Sequence, residues 1–413
     1  MTMSTSHARP EQASLRAIRI LTYLMFMMFA MTTDSVGVII PEVIKAFNLT
    51  MAEGGAFQYA TMGGIALAGL GLGFLADRLG RKGTIMLGLV LFALNAFLFA
   101  VGDRFGFFLV LLFVSGAAIG IFKTGALALI GDISSSTASH TRTMNMVEGF
   151  FGVGAIIGPA LVTQLLHAGL SWKWLYVIAG VLCLLLIVVA QVVKYPHSVR
   201  HADAPPSLGV TLKVLADPFA LAFSVGAMLY VGVEAAIYVW MPTLLKAYSG
   251  SWLFLATYAL SIFFILRAAG RFLGAAMLAK LRWTSVLVIC SAAICVCFCA
   301  AIIGGASVAI ISLPVSGLFM SVIYPTLNSK GISCFPKQQH GAVSGVILFF
   351  TCLSAAVAPF VMGAVSDAFH SPWYGFGVAT ALSAVLCLIM IANAVSGLSD
   401  KRLALLDTSE YSS

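Results

Sequence analysis

Apolar residues run along this chain in nearly uninterrupted stretches of about twenty, each closed by a short cluster of charged or turn-forming residues. Such a stretch, coiled as a helix, is long enough to cross the roughly 30 Å hydrocarbon core of a bilayer. Read between the breaks, the pattern predicts twelve helical spans, at 18–41, 54–77, 83–101, 107–131, 142–167, 172–193, 218–246, 251–279, 283–303, 305–329, 341–367 and 373–397. Barrel strands would show alternation in segments of about ten residues, and the chain has no such pattern. In lipid the backbone must satisfy its own hydrogen bonds, so helices are the predicted solution.

Composition removes the soluble alternative. Of 413 residues, 61% are hydrophobic and only 9% charged, against about 45–50% and 25% in soluble domains. The polar opening "MTMSTSHARPEQASLRAIR" leads into the first apolar run with no small-residue cleavage site, so that run is predicted to be retained as span 1. The formal charge of +8 does not describe a nucleic-acid surface, because the basic residues form small groups between apolar runs rather than a stripe with interleaved aromatics. Their placement reads as topology. Lys45, Arg104, Lys173 and Lys246 fall on one side, and Lys123, Arg267 and Arg271 lie within spans. The other Lys and Arg of the 23 all fall on the opposite side, which predicts both termini in the cytoplasm. The eight cysteines sit in or beside apolar runs, and Cys290, Cys295, Cys297 and Cys299 have neither metal nor disulfide spacing, so they read as packing residues.

The longest polar break, Lys194 to Lys213, falls near mid-chain and predicts two halves, 1–193 and 214–413, joined by the linker 194–213. A repeat agrees. Gly158-Pro159 is followed by "SWKWLY" and Ala358-Pro359 by "SPWYGF", an offset of about 200 residues. Two similar six-helix halves with a site between them are the pattern of a secondary transporter.

Between spans 2 and 3 runs "GLGFLADRLGRKG", whose glycines permit close helix approach and whose Asp77, Arg78 and Arg81 can pair at a loop. This stretch resembles the span 2–3 signature of the major facilitator superfamily. "YVGVE" in span 7, "RAAGRFLG" in span 8, "FMSVIYPT" in span 10, "RTMNMVEGFFGVGAIIGP" in span 5 and "PFVMGAVSDAF" in span 11 are similar to segments of the sugar:proton symporters that include the fucose and glucose/galactose permeases. The resemblance covers nearly the whole chain. It implies an all-α membrane protein, twelve spans in two pseudo-symmetric six-helix bundles, with spans 1, 4, 7 and 10 lining a cavity. Two departures stand out. Fucose-type members carry an acid four residues before the proline ending span 1, where this chain has Gly37 with Asp34 nearby; in span 4, Lys123 stands where an acid is common.

A charge at mid-span costs about 2.5–3.5 kcal/mol, so Asp34, Lys123, Glu148, Glu234, Arg267 and Arg271 each need a reason to be there. Helical rise places Glu234 and Arg267 at similar depths, roughly 18 Å from one face, so they can meet across a hairpin. Lys123 and Glu148 are likewise level and can meet. Tyr230 and Tyr238 lie one turn either side of Glu234 and share its face. Glu234 is therefore the leading candidate for loading a proton or a sugar hydroxyl. Burial raises a carboxyl's proton affinity and a neighbouring guanidinium lowers it, so a pair that separates would switch. Weaker candidates are Gln58, Asn145, Tyr324 and Asn328 as hydrogen-bonding groups, and Trp240 as a face for a sugar ring; packing explains each about as well. Asp77, Arg78, Arg81, Glu148 and Arg271 read as gating residues. No phosphate-cradling GxxxxGK[ST] stretch occurs, and His167, His340 and His370 lack ligand spacing, so no enzyme, cofactor or metal is expected. The expectation is a monomeric, proton-coupled sugar transporter in a bacterial inner membrane. Alternatives are a carrier of a small organic anion, an exporter of an amphiphilic drug, and a non-transporting sensor on the same scaffold.

Overall fold

The computed structural model describes residues 5–49, 51–195, 208–245 and 248–410. Lys246, Arg200 and most of the linker 194–213 lie outside these residues. Among the described residues the regular structure is helical throughout. Its elements are α1 (Thr5–Thr33), α2 (Val36–Phe47), α3 (Met51–Leu72), α4 (Leu75–Arg78), α5 (Arg81–Leu98), α6 (Phe105–Asp132), α7 (Thr137–His167), α8 (Trp174–Val192) and α9 (Leu208–Leu215). They continue as α10 (Pro218–Ala235), α11 (Met241–Leu245), α12 (Leu253–Thr257), α13 (Ala259–Lys280), α14 (Trp283–Met320), α15 (Ile323–Ser333), α16 (His340–Ala368), α17 (Pro372–Ser396) and α18 (Leu398–Glu410). A single π-helical turn, Ala236–Trp240, joins α10 to α11.

Ten stretches of described residues are long and apolar enough to cross a membrane. One of them, Trp283–Ser333, contains two spans, because Gly305 inside α14 adopts φ 64, ψ −160, a conformation open only to glycine, and reverses the chain. The glycine-rich α3 completes the twelve. Span boundaries follow local chemistry. Ser136 caps α7 by accepting the Ser139 N–H at 3.1 Å, Pro372 opens α17, and Gly397 closes it at φ 60. Pro159 and Pro359 lie inside α7 and α16, equivalent places in the two halves.

The chain forms two compact units. The first contains Met1–Asp217 and Phe335–Phe349, and the second contains Pro218–Cys334 and Phe350–Ser413. The first turns of α16 thus pack inside the first unit, with the Ser344 hydroxyl over the Thr124 carbonyl at 3.5 Å. Small residues let these helices meet backbone to backbone. A Cβ on Gly64 would run into the Phe113 carbonyl oxygen and one on Gly116 into that of Thr61, so α3 and α6 touch along a glycine seam. One end of the unit is filled by buried aromatics, with Phe57, Phe99, Phe108, Trp172 and Tyr176 in one cluster and the Phe99 and Tyr176 rings stacked 3.8 Å apart.

The seam gives a direct test. Gly116→Ala should lower stability by about 1–3 kcal/mol through overpacking, read as an earlier thermal midpoint of the purified protein. Gly106→Ala, on the same helix but facing open space, should leave it unchanged or raise it by up to about 1 kcal/mol.

Candidate functional site

In the second unit, α10 carries Tyr230 and Glu234 four residues apart, one helical turn, and the carboxylate faces α13. Glu234 is 8% exposed. Its Oε1 accepts the Tyr230 hydroxyl at 2.9 Å and an Arg267 guanidinium N–H at 2.7 Å. The Tyr230 ring stacks on Tyr324 from α15, centroids 6.3 Å apart, so three helices converge on the acid. Arg271, one turn further along α13 and buried, donates to the Ser321 carbonyl at 3.2 Å. Ser321 and Val322 separate α14 from α15, so the guanidinium sits on a carbonyl that the broken helix leaves over.

The π turn begins two residues after Glu234 and carries Tyr238 and Trp240, both half-buried. The extra residue in that turn re-aims the side chains beyond it. Trp240 donates its indole N–H to the Pro359 carbonyl at 3.1 Å and lies against Gly363, which commits one edge of the ring to α16. Asn328, also on α15, is buried, and its Oδ1 has no protein partner among the described residues.

In the first unit, span 1 is not the continuous helix expected from its hydropathy. It breaks between α1 and α2 at Asp34 and Ser35. The run Thr32-Thr33-Asp34-Ser35 supplies the cause. Thr32 and Thr33 donate to the Phe29 carbonyl at 2.9 and 3.3 Å and Ser35 to that of Met31 at 2.6 Å, and such back-bonding bends helices. Asp34 is exposed at the break and accepts the Thr33 hydroxyl at 2.7 Å. Lys123 corrects a second expectation. Its ammonium lies 5.0 Å from the Phe151 ring centroid, a cation–π contact in place of the level ion pair with Glu148. Glu148 and Asn145 are both buried on α7, and the Asn145 amide donates to the Thr141 carbonyl at 2.9 Å. Gln58 is half-buried on α3.

The loop residues form a third centre, also within the first unit. Arg81 is 6% exposed and is clamped by two acids, Asp77 at 2.5 Å and Asp132 at 2.8 Å, and it donates to the Lys337 carbonyl at 2.5 Å. Asp77 also accepts the backbone N–H groups of Gly341 and Ala342 at the start of α16, where a helix favours negative charge. Burial pushes its carboxyl up to about 6, with Arg81 and those N–H groups opposing the rise. Arg78 points outward and is exposed. The sequence reading missed Asp132, although an acid closing an apolar span level with Arg81 was the available signal. It did not single out His140 and set His340 aside for want of ligand spacing, yet their buried rings lie 6.3 Å apart.

Residues 22–359 match the sequence pattern of the Major Facilitator Superfamily. The chain is 27% identical over 385 residues to the L-fucose-proton symporter of Escherichia coli (strain K12), covering 83% of this chain and 85% of that protein. Its fold superimposes on the crystal structure of the transporter FucP in the outward conformation with a TM-score of 0.78 at 24% identity, covering 91% of this chain and 98% of that one. The proton:xylose symporter XylE bound to 6-bromo-6-deoxy-D-glucose gives a TM-score of 0.75 at 12% identity, with 92% and 96% covered. With twelve spans, paired prolines and a pattern match running through both halves, this chain belongs to the major facilitator superfamily.

Proposed function

We propose that this membrane transporter moves a monosaccharide together with a proton by alternating access. The observation that carries the reading is Glu234, a nearly buried carboxylate held by Tyr230 and Arg267 inside a membrane span, in a chain 27% identical to a proton-coupled sugar symporter. A carboxyl that exchanges its guanidinium for a proton or a sugar hydroxyl changes its charge as its surroundings change. That differential interaction is what coupling requires. Tyr230, Tyr238, Arg267, Tyr324, Asn328 and Trp240 would contribute from the second half, and Asp34, Lys123, Asn145 and Gln58 from the first. The halves 1–193 and 214–413 would rock about the linker 194–213, with Asp77, Arg78, Arg81, Glu148 and Arg271 acting on conformation rather than on substrate. The solute is not chemically altered in this scheme and no cofactor enters it. The protein would work as a monomer in the inner membrane with both termini cytoplasmic.

The Arg81 clamp makes the conformational part of this reading pH-sensitive. The Asp77 carboxyl holds its proton up to about pH 6 in the folded arrangement, against an ordinary value of 3.8. A raised carboxyl contributes stability that is present below the ordinary value and lost as pH rises through the folded one. The thermal midpoint of the wild type, measured relative to Asp77→Asn, should therefore fall between about pH 4 and 6 and level off above. A difference independent of pH would remove Asp77 from this linkage.

Counterflow in proteoliposomes tests the function. Neutral monosaccharides should exchange and monocarboxylates should not, and a proton gradient should drive sugar accumulation. Glu234→Gln should abolish uphill accumulation while exchange remains measurable. Accumulation that survives this substitution would take Glu234 out of the mechanism, and exchange confined to carboxylates would replace the sugar with an organic anion.

A further inference from the structure

A proline decides how span 10 bends in the second unit. In a continuous helix the Ser321 carbonyl would accept the N–H of residue 325, but that residue is Pro325, which has none. The ladder of α15 begins one residue later, with the Thr326 N–H on the Val322 carbonyl at 3.2 Å. The Ser321 carbonyl is therefore left to a donor from outside its own helix, and α13 supplies one. The buried Arg271 guanidinium donates to it at 3.2 Å. The seat is close: a Cβ on Gly270 would strike the Leu318 carbonyl oxygen and one on Gly274 the Val322 side chain, so α13 lies against both sides of the break.

The bend held in this way aims one ring. Tyr324 stands immediately before Pro325, in the first turn of α15 and three residues past the bonded carbonyl. Its ring stacks on Tyr230, centroids 6.3 Å apart and planes 22° apart, and the Tyr230 hydroxyl donates to Glu234 Oε1 at 2.9 Å. Arg267, one turn before Arg271 on the same face of α13, reaches that same oxygen at 2.7 Å. The helix α13 thus holds Glu234 twice, once directly and once by way of span 10. With the Arg271 guanidinium gone, a buried carbonyl loses its donor, and the chain can bring up another only by changing the bend. That change carries Tyr324 off Tyr230.

We propose that Arg271 is a positioning residue for Glu234, acting through the Ser321 carbonyl and the stacked rings of Tyr324 and Tyr230. The inference rests on the reading of Glu234 as the working carboxylate and names what sets how firmly that carboxyl is held. Arg271 itself touches neither the carboxyl nor a solute in this role. It replaces the one backbone hydrogen bond that Pro325 cannot make.

Labelling of Glu234 by dicyclohexylcarbodiimide, a reagent for protonated carboxyls in apolar surroundings, tests this on the purified full-length protein, read by mass spectrometry of the Glu234 peptide. Arg271→Gln should speed labelling at Glu234 by about two- to tenfold, the factor one net hydrogen bond is worth. Glu148, buried in the first unit, should label at its wild-type rate. Arg271→Lys, which keeps a donor for the carbonyl, should restore most of the wild-type rate at Glu234. Tyr324→Leu should speed labelling as Arg271→Gln does, and the double variant should label no faster than either alone, because both act along one path. An unchanged rate at Glu234, an equal rise at Glu148, or single effects that multiply in the double variant would overturn the proposal. Should Arg271→Gln fail to fold, Arg271→Met, cheaper in apolar surroundings, takes its place with the same outcomes. No arm uses a transported solute, so a failure of sugar exchange would strike the proposed function and leave this result standing.

Discussion

The interaction on which the rest depends is the pairing of Glu234 with Arg267 inside a membrane span. Each charge alone would cost about 2.5–3.5 kcal/mol at mid-bilayer, and breaking a buried pair by losing one partner costs about 3–5 kcal/mol. An apolar pair of similar volume would be at least as stable. Stability therefore does not explain why the acid is there. The Tyr230 hydroxyl satisfies a further lone pair and Tyr324 closes over that ring, so the carboxylate is held without being sealed, since Arg267 remains 22% exposed. A charge that is paired and nearly buried but not sealed can exchange partners, which is the property a coupled carrier needs.

The irregular backbone lies where the chemistry lies. Span 1 breaks at Asp34, span 7 passes into a π turn two residues beyond Glu234, and span 10 breaks at Ser321, whose carbonyl holds Arg271. Span 4, represented by α6, runs unbroken. In a bilayer a broken helix is tolerated only where protein or water takes up the freed backbone groups. Hydroxyl back-bonding from Thr32, Thr33 and Ser35 does this in the first unit, and a guanidinium does it in the second. The same breaks present polar groups at intermediate depth, where an apolar helix would otherwise offer only side-chain methyls.

Much of this was readable from the residues because lipid imposes a simple rule on them. A span must be predominantly apolar, so ten stretches of described residues were legible on that ground, including the pair of spans 9 and 10 that Gly305 separates. The level depths of Glu234 and Arg267 were legible by helical rise alone. What escaped depended on partners distant in sequence or on single-residue changes in helical winding. Arg81 takes Asp132 from 51 positions away, and Lys123 lies over the Phe151 ring. The break at Asp34 escaped because Thr-Thr-Asp-Ser is short enough to be averaged away by its apolar flanks.

The central claim is that Glu234 and Arg267 pair with each other in this arrangement of the site, and a double-mutant cycle on thermal stability addresses it most directly. Glu234→Gln and Arg267→Gln should each lower the midpoint substantially by stranding the other charge, while the double variant should lie closer to the wild type than the two losses combined, a coupling of about 2–5 kcal/mol. Losses that simply add, or single variants that behave like the wild type, would mean the two groups act independently and would contradict the account.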